Sequence, residues 1–218
     1  MTVITTVPVT FDPADAAHRV RVDRSGAGFE LLTNLIAIAQ KLIHPRAAYG
    51  VAYIDAKGDR TVKVGGVVFQ SRIFRQNLET VNKVFPYLIT IGPELERTAS
   101  AHGDLLMQYY LEETANMALE QAADWLARHL EEHFGVANLS NMSPGSLEDW
   151  PITEQAKLFS IFGDTEKLIG VHLTDTMLMI PRKSISGILF PSEEGFVACQ
   201  LCERGHCPGR KAAYTGGL

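Results

Sequence analysis

The longest patterned stretch of the chain runs from about Pro93 to His133. Within it Leu105, Leu106, Tyr109, Leu111, Met117, Leu119, Ala122, Leu126 and Leu130 recur at helical spacing. The pattern breaks near His102-Gly103, which predicts two helices, and Gly135 is placed to end the second in a left-handed cap. A second helical stripe, Phe29, Leu32, Leu35, Ile36, Ala39 and Ile43, stops before Pro45. Ahead of it, VPVTFDPADAAHRVRV reads as an N-terminal strand followed by a turn or short helix. AAYGVAYIDAKGDRTVKVGGVVF predicts two strands around a turn at Lys57-Gly58-Asp59. SRIFRQNLETV predicts a short helix and PYLITIG a buried strand. Beyond Gly135, VANLSNMSPGSLEDWP reads as loop from its Ser, Asn, Pro and Gly content. ITEQAKLFSIFG predicts a helix with Thr153 close to a capping position, and LIGVHLTDTMLMIP and KSISGILFP predict strands.

Helices and hairpin-like strands in mixed order imply an α+β fold around an antiparallel sheet. The chain divides into an N-terminal strand and extension (1–30), a main α+β domain (31–195) and a cysteine-containing tail (196–218). No internal repeat or low-complexity tract occurs.

Composition narrows the function classes. With 218 residues, 46% apolar and 21% charged, the chain can bury a core without staples. A formal net charge of −5 and the absence of any basic run interleaved with aromatics argue against nucleic acid and anionic membranes as partners. No apolar run approaches the roughly 18–20 residues of a membrane-spanning helix. MTVITTVPVTFDPADAAHRV lacks the basic start and apolar core of a signal peptide, so the expected location is the cytoplasm.

Three places carry candidate chemistry. In SPGSLEDWP, Pro144 and Pro151 pre-shape the backbone and Gly145 permits close approach to a ligand, just ahead of a helix start whose free N–H groups could meet a carboxylate. The plainer reading is a connecting loop. Arg182, Lys183, Ser184 and Ser186 gather after Pro181, where the plainer reading is a solvated turn, and Met177 and Met179 read as core. The third place is CQLCERGHCPGR, which holds all three cysteines of the chain, Cys199, Cys202 and Cys207. Such clustering in one loop suits zinc or iron–sulfur iron, with thiol redox chemistry or no role as alternatives. His206, adjacent to Cys207, is poorly placed as a fourth ligand. His129 and His133 sit four apart, but HLEEH is not the H-E-x-x-H motif, and a solvated helix face accounts for them. No nucleophile elbow, P-loop or dinucleotide fingerprint occurs.

The string SPGSLEDWPITEQAKLFSIFGDTEKLIGVHLTDTMLMIPRKSISGILF resembles the activation domain of cobalamin-dependent methionine synthase, and more closely the small free-standing bacterial proteins of that family. The resemblance rests on Pro144-Gly145, Trp150-Pro151, Gln155, Leu158-Phe159, Ile169-Gly170-Val171, Leu173-Thr174, Met179, Pro181 and Ser186-Gly187. Upstream, TIGPELE and LEETANMALEQAADWL extend it to most of the chain from about Leu31.

The resemblance implies a bent antiparallel β-sheet flanked by helices. It also implies an accessory role in corrinoid-dependent methyl transfer: reductive reactivation of cobalamin carried by a separate methionine synthase or other corrinoid protein. S-adenosylmethionine would supply the methyl group, and flavodoxin or ferredoxin the electron. On this reading the chain contributes to a methyltransferase activity without a general base of its own. Asn141, Pro144, Gly145, Ser146, Trp150, Arg182 and Lys183 would form the binding site. Cys199, Cys202 and Cys207, in the C-x2-C-x4-C-P ending that free-standing relatives often share, would hold an iron–sulfur cluster or zinc. Two positions depart from the family loop, which has an arginine four residues before the glycine and a tyrosine just after it; here they are Asn141 and Ser146. Asparagine cannot clamp a carboxylate with a charge, a loss of about 1.5–3 kcal/mol. The alternatives are a docking module without S-adenosylmethionine binding and a small iron–sulfur electron-transfer protein.

Overall fold

The structure is a computed structural model that describes residues 1–193, 195–207 and 210–216. Its elements follow in order as β1 (Thr2–Ile4), α1 (Pro13–Val20), α2 (Ala27–Leu42), β2 (Arg46–Tyr49), β3 (Ala52–Lys57), β4 (Thr61–Val64) and β5 (Val67–Gln70). Then come α3 (Arg72–Asn77), β6 (Lys83–Thr90), α4 (Glu94–Ala101), α5 (Leu105–Phe134) and β7 (Leu139–Met142). The chain closes with α6 (Gln155–Phe162), α7 (Thr165–Ile169), β8 (His172–Leu173), β9 (Met179–Ile180) and β10 (Ser184–Pro191), with 3-10 turns at Ile152–Glu154 and Ala198–Leu201.

Local chemistry sets the helix ends. Asp12, Ser71, Asp104 and Asp164 each accept a backbone N–H of the first turn of α1, α3, α5 and α7. Gly135 ends α5 in the left-handed region at φ 61°, and α4 and α5 part at His102-Gly103-Asp104, as the broken stripe predicted.

Strand β6 organises the sheet. On one edge it pairs antiparallel with β10, from Thr90↔Ser184 to Phe85↔Leu189. On the other it pairs with β2 (Thr90↔Arg46 to Tyr87↔Tyr49) and, in the same register past Gly50-Val51, with β3 (Val84↔Ala52, Lys83↔Tyr53). The sheet forks there, because β1 continues from β2 while β4 and β5 continue from β3, and β7 adds beyond β10. The pleat sends alternate residues of β6 into two cores. Phe85, Tyr87 and Ile89 join Leu32, Leu111, Leu126 and Leu130 under the helices α1, α2, α4 and α5. Val84 and Leu88 face Phe69, Phe74, Trp150, Leu158, Ile188 and Phe190 on the other side.

Several elements differ from the sequence reading. Gly65 and Gly66, at φ 55° and 85°, form a second turn, so the predicted hairpin is three strands. The expected loop after Gly135 contains β7, which is held by four residue pairs to β10. Thr153 lies within the 3-10 turn and caps nothing, since Glu154 precedes α6. LIGVHLTDTMLMIP forms α7 and a two-residue hairpin, β8–β9, in place of a long strand. Of the α5 stripe, Leu105, Leu106 and Tyr109 are exposed, because the first turns of the helix extend past the core.

The N-terminal segment joins the main body: Val7, Val9, Ala16 and Ala17 are buried in the first core, Arg19 bridges Glu113 and Glu120 of α5, and residue 30 lies inside α2. In the tail, Phe196, Ala198 and Leu201 pack against the second core. Among the described residues no helix is long and apolar enough to cross a membrane.

Truncating the central strand tests this architecture. Leu88→Ala removes a fully buried side chain and should lower unfolding free energy by about 2–5 kcal/mol, whereas Val68→Thr, at an exposed position of β5, should stay within about 0.5 kcal/mol in urea titrations.

Candidate functional site

The segment Ser143 to Trp150 folds into a tight loop. The Gly145 N–H donates to the Trp150 carbonyl at 2.7 Å, Ser146 N–H to Ser143 O at 3.1 Å, and Trp150 N–H to Leu147 O at 3.1 Å. Gly145 has φ +83°, a conformation that favours glycine, and a Cβ there would stand 2.8 Å from Ile152 Cδ1, which would have to move. At Gly187 on β10 a Cβ would stand 2.6 Å from Asn141 Oδ1 and from Ser143 Oγ, which makes that glycine the gap into which the loop settles.

Two side chains fix the loop from beneath. Trp150, fully buried, stacks on Phe74 at 4.3 Å between ring centroids and meets Phe69 edge-on at 5.7 Å. The sequence reading made it a ligand contact; the structure makes it a core anchor, because its ring is spent on the aromatic cluster. Asp149 reaches the start of α3, accepting from Ser71 Oγ at 2.6 Å and Ile73 N–H at 2.8 Å, with Arg60 at 3.3 Å. Burial pushes this carboxyl up, but the hydrogen bonds from Ser71 and the backbone of Ile73, with the charge of Arg60, outweigh it and hold it below the ordinary carboxylate value.

Above the loop lies a groove of about 350 Å³. Asn141, Pro144, Gly145 and Ser146 of the sequence prediction line it together. The fold adds Tyr87 from β6, Ile152 from the 3-10 turn, Gln155 from the start of α6, Met179 from β9, and Ile185 and Ser186 from β10. The Tyr87 hydroxyl donates to Asn141 Oδ1 at 3.1 Å. Burial pushes its phenol up to about 12 against the pull of hydrogen bonds with Ser143 and Asn141, so it is a neutral donor at physiological pH. Gln155 is 3% exposed, and its Nε2 is buried without a hydrogen-bond partner. No charged side chain stands among the described lining residues.

Arg182 and Lys183 do not line this groove, a second correction. Arg182 pairs with Glu96 of α4 and, at 3.5 Å, with Glu112 of α5; Lys183 meets Glu112 at 2.5 Å and Asn116 Oδ1 at 2.8 Å. Acids on α4 and α5 draw both cations to the helical side.

The cysteine tail crosses the free edge of β7, where Val197 makes a parallel bridge with Asn141. Cys199, Cys202 and Cys207 are free and half-buried. The Arg210 guanidinium donates to the carbonyls of Cys199 and Cys202, each at 2.9 Å, and of Arg204 at 2.6 Å, gathering the loop without engaging a thiol. Lys211 N–H points at Cys199 Sγ at 3.5 Å. Among the described residues no three His, Cys, Asp or Glu side chains converge as a ligand set, and Pro208 of the C-P ending lies outside them. The thiols are of the donor kind that a thiolate-binding metal takes.

A larger groove of about 1130 Å³, unmarked by any motif, lies between this tail and the body, lined by Asn82, Lys83, Asn138, Phe196, Gln200 and Leu201 among others. Nothing local marks it, since its walls come from five separate segments.

No family model matches the chain, and no curated protein matches it in sequence. Among solved structures, the crystal structure of the MetH reactivation domain bound to AdoHcy matches 84% of this chain and 67% of that chain, with a TM-score of 0.53 and 17% identity. The likeness shows the fold, an antiparallel sheet flanked by helices of the MetH reactivation-domain kind.

The Asp149 staple carries a pH dependence. Its carboxyl titrates lower in the folded than in the unfolded chain, so its contribution is complete above the unfolded carboxylate value and lost as pH falls through the folded one. Asp149→Asn should therefore destabilise the protein at pH 7 and reduce the loss of stability as pH falls below the ordinary aspartate value of about 3.9, read by urea unfolding at a series of pH values.

Proposed function

We propose that this chain is an accessory protein for corrinoid-dependent methyl transfer, one that assists reductive reactivation of cobalamin held by a separate methionine synthase or corrinoid protein. The observation that carries the reading is the groove above the Ser143–Trp150 loop, built on a fold like that of the MetH reactivation domain, whose solved structure has AdoHcy bound. An adenosyl ligand is the chemical class this supports, and S-adenosylmethionine, when bound, would supply the methyl group. The chain's own part is positioning. Gly145 and Gly187 let the loop approach closely, Trp150 and Asp149 hold it in place, and the Tyr87 hydroxyl, donating to Asn141 Oδ1, orients that amide at the groove.

The absence of a cation from the described lining favours a second reading, a docking module that no longer binds S-adenosylmethionine. Reactivation separates the two. A corrinoid protein poised in the Co(II) state, given a low-potential flavodoxin or chemical reductant and S-adenosylmethionine, should regain methylcobalamin absorbance faster with this chain present. Faster reduction of Co(II) to Co(I) with S-adenosylmethionine left out, and no gain in methylcobalamin when it is added, would favour the docking module; no acceleration of either step would remove the first reading.

Cys199, Cys202 and Cys207 complete the proposal as thiolate ligands for zinc or an iron–sulfur cluster. Support comes from the donor chemistry and from the Arg210 clasp, which gathers the loop through the carbonyls of Cys199 and Cys202 without using a thiol. Anaerobically purified protein should contain zinc, or iron with acid-labile sulfide, and Cys199→Ser should lose it. A metal-free chain would leave the thiols without this role, and iron–sulfide without any reactivation would point to plain electron transfer.

A further inference from the structure

The groove differs from a site built for a charged ligand. Its described lining has hydroxyls, amides and apolar side chains and no Arg, Lys, Asp or Glu. The nearest cations downstream, Arg182 and Lys183, are held by Glu96 and Glu112. The start of α6 offers no free charge either, because Glu154 precedes it and turns away, accepting from Gln70 N–H at 3.0 Å and pairing with Lys157. A carboxylate or ammonium entering here would lose water without gaining a counter-charge, which is costly in a partly enclosed site.

One lining residue, Gln155, carries a buried amide nitrogen that lacks an acceptor. Gln155 is almost fully buried and its Nε2 has no partner, a condition that costs stability and is rare in folded proteins. Around it Pro144, Ile152 and Met179 supply apolar surface of the kind that covers the face of a flat ring. An N–H donor beside apolar walls suits an aromatic heterocycle with ring-nitrogen acceptors, as a side-chain amide pairs with a purine edge.

Building on the adenosyl reading above, we propose that the groove recognises the uncharged nucleoside part of its ligand, with Gln155 Nε2 donating to the heterocycle. The amino-acid part stays in solvent and adds no affinity. Free purine nucleosides therefore bind as well as S-adenosylmethionine and compete with it, and Gln155 is the specificity-determining residue.

Calorimetric titration of the full chain with adenosine and with S-adenosylmethionine tests this. The two dissociation constants should agree within about threefold, and each ligand should displace the other. Gln155→Met, close in shape but without the amide, should weaken both by about tenfold while the melting temperature holds or rises, because an unpaired buried donor has been removed. Asn141→Arg, which adds a cation at the groove, should raise the affinity for S-adenosylmethionine relative to that for adenosine. Wild-type binding of S-adenosylmethionine about tenfold or more tighter than adenosine would overturn the inference and leave the adenosyl reading standing. Binding of neither would overturn both. A Gln155→Met protein with normal affinity, or with lost affinity and a lowered melting temperature, would remove Gln155; if it unfolds, Gln155→Glu read by the same two titrations takes its place, again with loss of both ligands expected and unchanged affinity fatal.

Discussion

Everything in the molecule hangs on β6 being paired along both edges and buried on both faces. Such a strand cannot shift by one residue without sending Phe85, Tyr87 and Ile89 into the wrong core. Its register thus fixes β10 on one side and the β2–β3 pair on the other. Because β10 in turn carries β7, the position of Asn141 is set two strands away by the same register. The groove is an outcome of that chain of pairings. Tyr87 enters it from β6, Ser186 from β10 and Asn141 from β7.

The loop over the groove is rigid for a different reason. It lacks regular structure, yet it is held from below by a stacked tryptophan and from the side by a carboxylate that caps another helix. Both contacts use side chains that composition alone would assign to a ligand or to solvent. The result is a binding surface whose backbone is set in advance, so that little ordering is needed when a ligand arrives. The tail is joined to the same surface through the bridge between Val197 and Asn141, which brings the thiol loop and the groove onto one strand edge.

Much of the candidate site was legible before any coordinates, and the reasons are local. Pro144-Gly145 marks a shaped turn, and the positive φ at 145 favours glycine there. Asn141 and Ser146 also line the groove. Trp150, Arg182 and Lys183 were misplaced because sequence gives proximity along the chain, whereas these side chains point to Phe74 and to Glu96 and Glu112, contributed by distant elements. Gln155 stood among the residues carrying the resemblance, but its unpaired burial is a property of three-dimensional packing that no spacing rule expresses.

By itself the sequence determined the two long helices and their break, the buried central strand, the shaped loop and the clustering of every thiol. Each of these is written in local periodicity, turn chemistry or simple counting. The tertiary structure alone decided that β7 pairs with β10, that the sheet forks past Gly50-Val51, and which of the polar residues face the groove. Strand partners and side-chain counter-charges come from far along the chain, and only the packing of the two cores on β6 brings them together.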